Sequence, residues 1–232
     1  MAWKEVVPPV FMVGSGGLSG AGDCCVYVIG LREGGTCLID AGTSNATRVL
    51  ANLAACPLQA SSIEYLVLTH CHYDHAGAAH QFKTRFPAMH VIAHDADVPA
   101  IEGAPDTEVM TASSWYGEDF RPVKVDMRLR RDKEQFLLHG TELDIIHTPG
   151  HTPGSISVLL DTGESRVLFG QDIHGPFSPE FRSDIDAWAH SMFLLIGLDA
   201  DVLCEGHFGI VKGREKVRRF IEDQLDRHGH GS

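Results

Sequence analysis

Residues 69–75 read T-H-C-H-Y-D-H and follow directly on the apolar run of residues 63–69 (I-E-Y-L-V-L-T), which predicts a buried strand. His70 and His72 lie two apart, so on an extended chain both side chains leave the same face and can converge on one point. Asp74 and His75 fall where the chain must turn toward the next helix, and address a second point. Buried together without a cation, three imidazoles and a carboxylate suffer desolvation and mutual repulsion when charged. A bound metal removes that conflict. Three further donors stand at predicted strand ends: His151 in T-P-G-H-T-P-G-S, Asp172 in V-L-F-G-Q-D-I and His207 in V-L-C-E-G-H-F-G.

The rest of the chain predicts the scaffold for these ends. Residues 25–29 and 36–40 are short apolar runs joined by L-R-E-G-G, which is hairpin chemistry, and residues 45–55 are helical in composition and stop before Pro57. Helix is expected over 76–86, a short strand over 91–93, and an irregular stretch with short helices over 95–123. A second β-rich half follows at 136–138, 143–147, 156–160 and 167–169, then helix over 186–196, a strand over 202–204 and a last helix over 214–227. That helix carries Val217, Phe220, Ile221 and Leu225 on one face. Two halves, each of strands followed by helix, predict packed sheets with helices outside, in one domain over residues 1–232.

Composition narrows the function. The 232 residues carry 19 Lys+Arg against 31 Asp+Glu, a formal charge of −12, which disfavours a broad grip on nucleic acid or anionic membrane. No apolar stretch is long enough to span a bilayer. The six cysteines (Cys24, Cys25, Cys37, Cys56, Cys71, Cys204) form no C-x-x-C pair, and M-A-W-K-E-V-V-P-P-V does not read as a secretory signal. A cytoplasmic protein acting on a small molecule is expected. The closing R-H-G-H-G-S is expected to fray, leaving His228 and His230 without a role.

The ordered series His70-x-His72-x-Asp74-His75, His151, Asp172, His207 resembles the metallo-β-lactamase-fold hydrolases, and it spans nearly the whole chain. I-D-A-G at residues 39–42 is similar to that family's Asp-x-Gly turn. The resemblance implies a four-layer αββα sandwich (an α/β, or α+β, fold) with the site on one edge between the sheets. It implies that His70, His72 and His151 hold one ion, that Asp74, His75 and His207 hold a second, that Asp172 bridges them and that Asp40 supports the metal loop. Imidazole and carboxylate suit zinc, but also iron, manganese or cobalt. Two such ions would supply an activated water able to attack a carbonyl or phosphoryl group, with Asp74 expected to orient the nucleophile and move its proton.

The ligand set is similar to that of glyoxalase II-type thioesterases, whose C-terminal helical substrate domain is expected to be largely absent from the residues after His207. Hydrolysis of a small ester, thioester or lactone is therefore the leading expectation, and a mononuclear iron persulfide dioxygenase the alternative. His174, two residues beyond Asp172, and Tyr116 are candidate substrate contacts. Trp115, Tyr116 and Phe120 either cap the cleft or anchor the irregular segment. Glycine-rich residues 14–22 lack the Lys-Ser/Thr of a phosphate loop and are expected to form a loop between early strands; Cys71 is expected to face away from the metals.

Overall fold

The computed structural model describes residues 2–58 and 62–231. Seven strands lie side by side in chain order: β1 (Lys4–Val7), β2 (Val10–Gly14), β3 (Val26–Gly30), β4 (Thr36–Ile39), β5 (Ile63–Val67), β6 (His90–His94) and β7 (Met127–Leu129). Neighbours are antiparallel as far as β4 and parallel from β4 to β7. The crossovers carry α1 (Ala46–Ala54), α2 (Tyr73–Ala76), α3 (Ala79–Arg85) and α4 (Val98–Ile101). A second sheet follows with β8 (Lys133–Leu138), β9 (Thr141–His147), β10 (Ile156–Asp161), β11 (Arg166–Phe169), β12 (Val202–Glu205) and β13 (Gly209–Lys212), again in chain order. Its one parallel pair, β11 with β12, is bridged by α5 (Ile185–Gly197), and α6 (Arg214–Arg227) follows β13.

Strand alternation makes the layers. On β3, Val26 and Val28 pack toward α1 and α3, while Tyr27 and Ile29 face the second sheet. On β10 and β11, Val158, Leu160, Val167 and Phe169 face the first sheet, and Leu159 and Leu168 face α5 and α6. Both sheets are thus apolar on both sides, and three separate cores lie between four layers. Helix faces match: Val49 and Leu53 of α1 enter the first core, and Trp188 and Met192 of α5 with Val217, Ile221 and Leu225 of α6 enter the third. The αββα expectation is met.

Several elements depart from the sequence reading. β1, β2, β7 and β13 were not foreseen. β2 (V-F-M-V-G) is buried at every position, so it lacks the alternation that marks a half-exposed strand. The helix expected over 76–86 is shorter, α3 alone, and is set off from α2 at Gly77, where a Cβ would run into the carbonyls of Thr43 and Tyr73. The tail does not fray over its described residues: the His228 and His230 rings pack 5.1 and 6.4 Å from Trp188, and the His230 N–H bonds the Leu225 carbonyl at 2.9 Å. An apolar surface captures it. The irregular stretch contains α4 and two 3₁₀ turns, Glu108–Thr111 and Ser113–Tyr116. Among the described residues, no helix is long and apolar enough to cross a membrane.

Candidate metal centre

All the predicted donors meet at one edge of the sandwich, because each follows the end of a strand pointing there. Beyond β5 the chain runs through His70 to His72, whose ψ of 148° is extended, before α2 turns Asp74 and His75 back. The rings of His70 and His72 lie 4.6 Å apart. Cys71, between them, points the other way and donates to the Met110 carbonyl at 3.3 Å, as alternation requires. The β9–β10 loop supplies His151, the end of β11 supplies Asp172, and the turn after β12 supplies His207.

The donor atoms form two groups that share Asp172. In one, His70, His72, His151 and Asp172 offer atoms all within 4.8 Å of one another; in the other, Asp74, His75, Asp172 and His207 do the same. His151 Nε2 is 2.9 Å from His72 Nδ1, and Asp172 Oδ2 is 3.6 Å from His151 Nε2 and 3.9 Å from His70 Nε2. Asp172 Oδ1 is 3.1 Å from His75 Nε2 and 3.3 Å from His207 Nε2, which is also 3.1 Å from Asp74 Oδ2. Gly206 is required here, since a Cβ would run into Asp172 Oδ1.

The far sides of three of the rings, His70, His75 and His151, are fixed by the protein. Asp40, in the left-handed region at φ 63°, accepts from the Thr69 N–H (2.7 Å), the Thr69 hydroxyl (2.8 Å) and His75 Nδ1 (2.6 Å). Because the Thr69 hydroxyl proton goes to Asp40, its oxygen accepts from His70 Nδ1 at 3.1 Å. His151 Nδ1 donates to the Pro176 carbonyl at 2.8 Å. Each Nδ1–H so placed leaves the lone pair of Nε2 facing the site. The Nε2 atoms of His70 and His75 and Oδ1 of Asp172 are buried without a hydrogen-bond partner. Unpartnered ring nitrogens and a carboxylate oxygen converging on one buried point fit a cation.

Electrostatics agree. Burial holds His70, His72 and His151 below the usual imidazole range, so they stay neutral. Burial also opposes charge on His75 and His207, but the carboxylates overcome it: Asp172 and its neighbours raise His75, and Asp172 with Asp74 raises His207 to about 10. Asp172 is held well below its usual range, since His75 and His207 outweigh its burial. Without metal, protons supply the positive charge that the carboxylates demand.

Three supporting residues escaped the sequence reading. Asp97, fully buried, accepts from the Cys71 N–H (3.0 Å), the Thr152 hydroxyl (2.7 Å) and the Gly154 N–H (2.7 Å), tying the 70–75 segment to the His151 loop. Glu205 accepts from the backbone N–H of His207 and Phe208 at 2.7 and 2.8 Å and from His174 Nδ1 at 2.6 Å. Gln171 donates to Asp40. Glu205 had a readable signal, standing two positions before His207 on an extended chain, whereas Asp97 lies in the least patterned stretch. A cleft of about 170 Å³ opens over the centre, lined by His72, Asp74, Asp172 and His207 together with Trp115, Tyr116, His174 and Phe181. Burial and the nearby Asp74 carboxylate hold the Tyr116 phenol above its usual range, and Gly22, in the loop between β2 and β3, lies against its ring. Phe120 packs instead against the first core.

Four layers with a histidine- and aspartate-lined edge define the class. The chain belongs to the metallo-beta-lactamase superfamily, whose family model matches residues 19–207. It is 31% identical over 140 residues to a probable metallo-hydrolase of Methanocaldococcus jannaschii, covering 57% of this chain and 63% of that protein. It is 30% identical over 216 residues to an acyl-coenzyme A thioesterase of Bos taurus, covering 87% and 74% respectively. A hydroxyacylglutathione hydrolase of Haemophilus influenzae is 27% identical over 61% of the chain, which spans 62% of that protein. Among solved structures, a motif mutant of a metallo-beta-lactamase from Cronobacter sakazakii superposes with a TM-score of 0.80 at 21% identity, over 98% of this chain and 95% of that one. This last likeness is one of fold.

Proposed function

We propose that the chain is a metal-dependent hydrolase cleaving a small ester, thioester or lactone at a two-ion site, with residues 1–232 working as one domain. His70, His72 and His151 would hold one ion, Asp74, His75 and His207 the other, and Asp172 both. The donor set suits zinc, and iron or manganese would be accepted by the same atoms. When bound, the ions supply an activated water and polarise the scissile carbonyl. The observation that carries this reading is Asp172, whose Oδ2 faces the first donor set and Oδ1 the second.

Asp74 would take the proton of the attacking water and deliver it to the leaving group. His174 has its Nδ1 committed to Glu205 and lines the cleft, so its Nε2 is available to orient substrate. The names of two relatives, an acyl-coenzyme A thioesterase and a hydroxyacylglutathione hydrolase, favour a thioester. Six buried, unpaired thiols are in keeping with a cytoplasmic location. The second donor set is complete, which favours hydrolysis over a mononuclear iron persulfide dioxygenase. The test is a screen over thioesters, lactones, phosphodiesters and β-lactams, with metal measured on the same sample. Hydrolysis with two ions per chain is expected; one iron per chain with oxygen uptake on a persulfide overturns the reading.

A further inference from the structure

Gln171, two residues beyond β11 and one before the shared carboxylate, has φ at 37°, in the left-handed region that favours glycine. Its side chain is buried and crosses from the second sheet to the first. There Nε2 donates to Oδ2 of Asp40, beyond β4, and to the Cys25 carbonyl, just before β3, at 3.5 Å. Acceptors on that side fix which way round the amide sits, and Oε1 is left buried without a hydrogen-bond partner among the described residues. Backbone strain and an unpaired carbonyl both count against a glutamine here. The bond to Asp40 offsets them. Asp40 in turn holds Nδ1 of His75 at 2.6 Å, while Asp172 Oδ1 lies 3.1 Å from Nε2 of the same ring. Two consecutive residues of one turn therefore bear on the two nitrogens of one imidazole, Asp172 directly and Gln171 through Asp40.

We infer that Gln171 is a positioning residue for His75: by tying Asp40 to the turn that carries Asp172, it sets the direction in which Nε2 of His75 faces the ion shared with Asp74, Asp172 and His207. Asp40 reaches His70 as well, but only by way of the Thr69 hydroxyl, so the ion held with His72 and His151 feels Gln171 less. The proposal rests on the two-ion reading for the identity of that ion, and its effect on the His75 ring is read separately. Two variants of the full chain serve. Gln171→Met keeps the bulk and loses the donor; Gln171→Gly loses the side chain at a φ that suits glycine, so that variant folds without the backbone strain. The Nδ1 proton of His75, assigned by its loss in His75→Gln, is followed by proton NMR as zinc is titrated in. In both variants this resonance is expected to move from its wild-type position, and the zinc-binding step that perturbs it is expected to weaken by about tenfold or more, with a smaller loss at the other step. An unmoved resonance in Gln171→Met, an unchanged affinity at that step, or an equal loss at both steps overturns the inference. If the resonance moves in both variants while the wild type takes up a single zinc, the two-ion reading alone fails and the positioning of His75 stands.

Discussion

Asp40 shows how much one side chain carries. Its carboxylate accepts hydrogen bonds from Thr69, His75 and Gln171 inside the fold, and removing it leaves several buried donors unpaired. Asp40→Ala is expected to cost about 3 to 5 kcal/mol in a urea unfolding titration. His207 makes a second expectation at this scale. Asp172 and Asp74 hold it at about 10 against its burial, so near neutral pH it must lose a proton before it can bind metal. His75, also held above its usual range, must do the same, so affinity for the ion of that donor set should rise with pH by about tenfold per unit for each proton displaced, and calorimetry in buffers of different ionisation heat should register proton release. A pH-independent affinity between about 6 and 9 would contradict the assignment of His207. The residues visible in sequence were those with a spacing or a strand end to mark them. Asp97 and Gln171 act through hydrogen bonds between segments far apart in the chain, and pairwise spacing carries no trace of those.

At the scale of elements, the strands that place ligands were legible because each ends in a turn-forming, donor-bearing sequence. β5, β9, β11 and β12 all stand where the apolar runs predict them. β1, β2, β7 and β13 were not, since three are short and one is buried on both faces. The junction of the sheets yields a further expectation. At the ends of β6 and β9, His94 and His147 stack with ring centroids 3.8 Å apart, and His147 Nε2 bonds the Pro153 carbonyl at 2.8 Å in the His151 loop. Burial, then the nearness of His147, lowers His94 to about 4. Its folded value lies below its unfolded one, so its contribution to stability is present above about 6.5 and is lost as pH falls from there toward 4. Unfolding midpoints measured across that window should fall more steeply in the wild type than in His94→Gln.

For the molecule as a whole, the arrangement of layers followed from two β-rich halves, each with helices. What the halves share, a metal edge fed by both sheets, came from the ordered histidines and aspartates and the family they resemble. Since the donors come from four strand ends across both sheets, metal binding is linked to global folding. Free metal at about a thousand times its dissociation constant should stabilise the chain by about 4 kcal/mol, read as the loss of melting temperature on adding chelator. Among the 14 histidines, five are drawn into the proposed centre, and two divalent ions held there would bring the formal charge from −12 to −8.

The shared carboxylate is the point on which the two-ion centre stands or falls. Zinc titrated into stripped wild-type protein and into Asp172→Ala, with stoichiometry read by calorimetry, addresses it directly. Two ions per chain in the wild type and tight binding of neither in the variant are expected. One ion per chain, or two retained with unchanged affinity in Asp172→Ala, would contradict a centre built around Asp172.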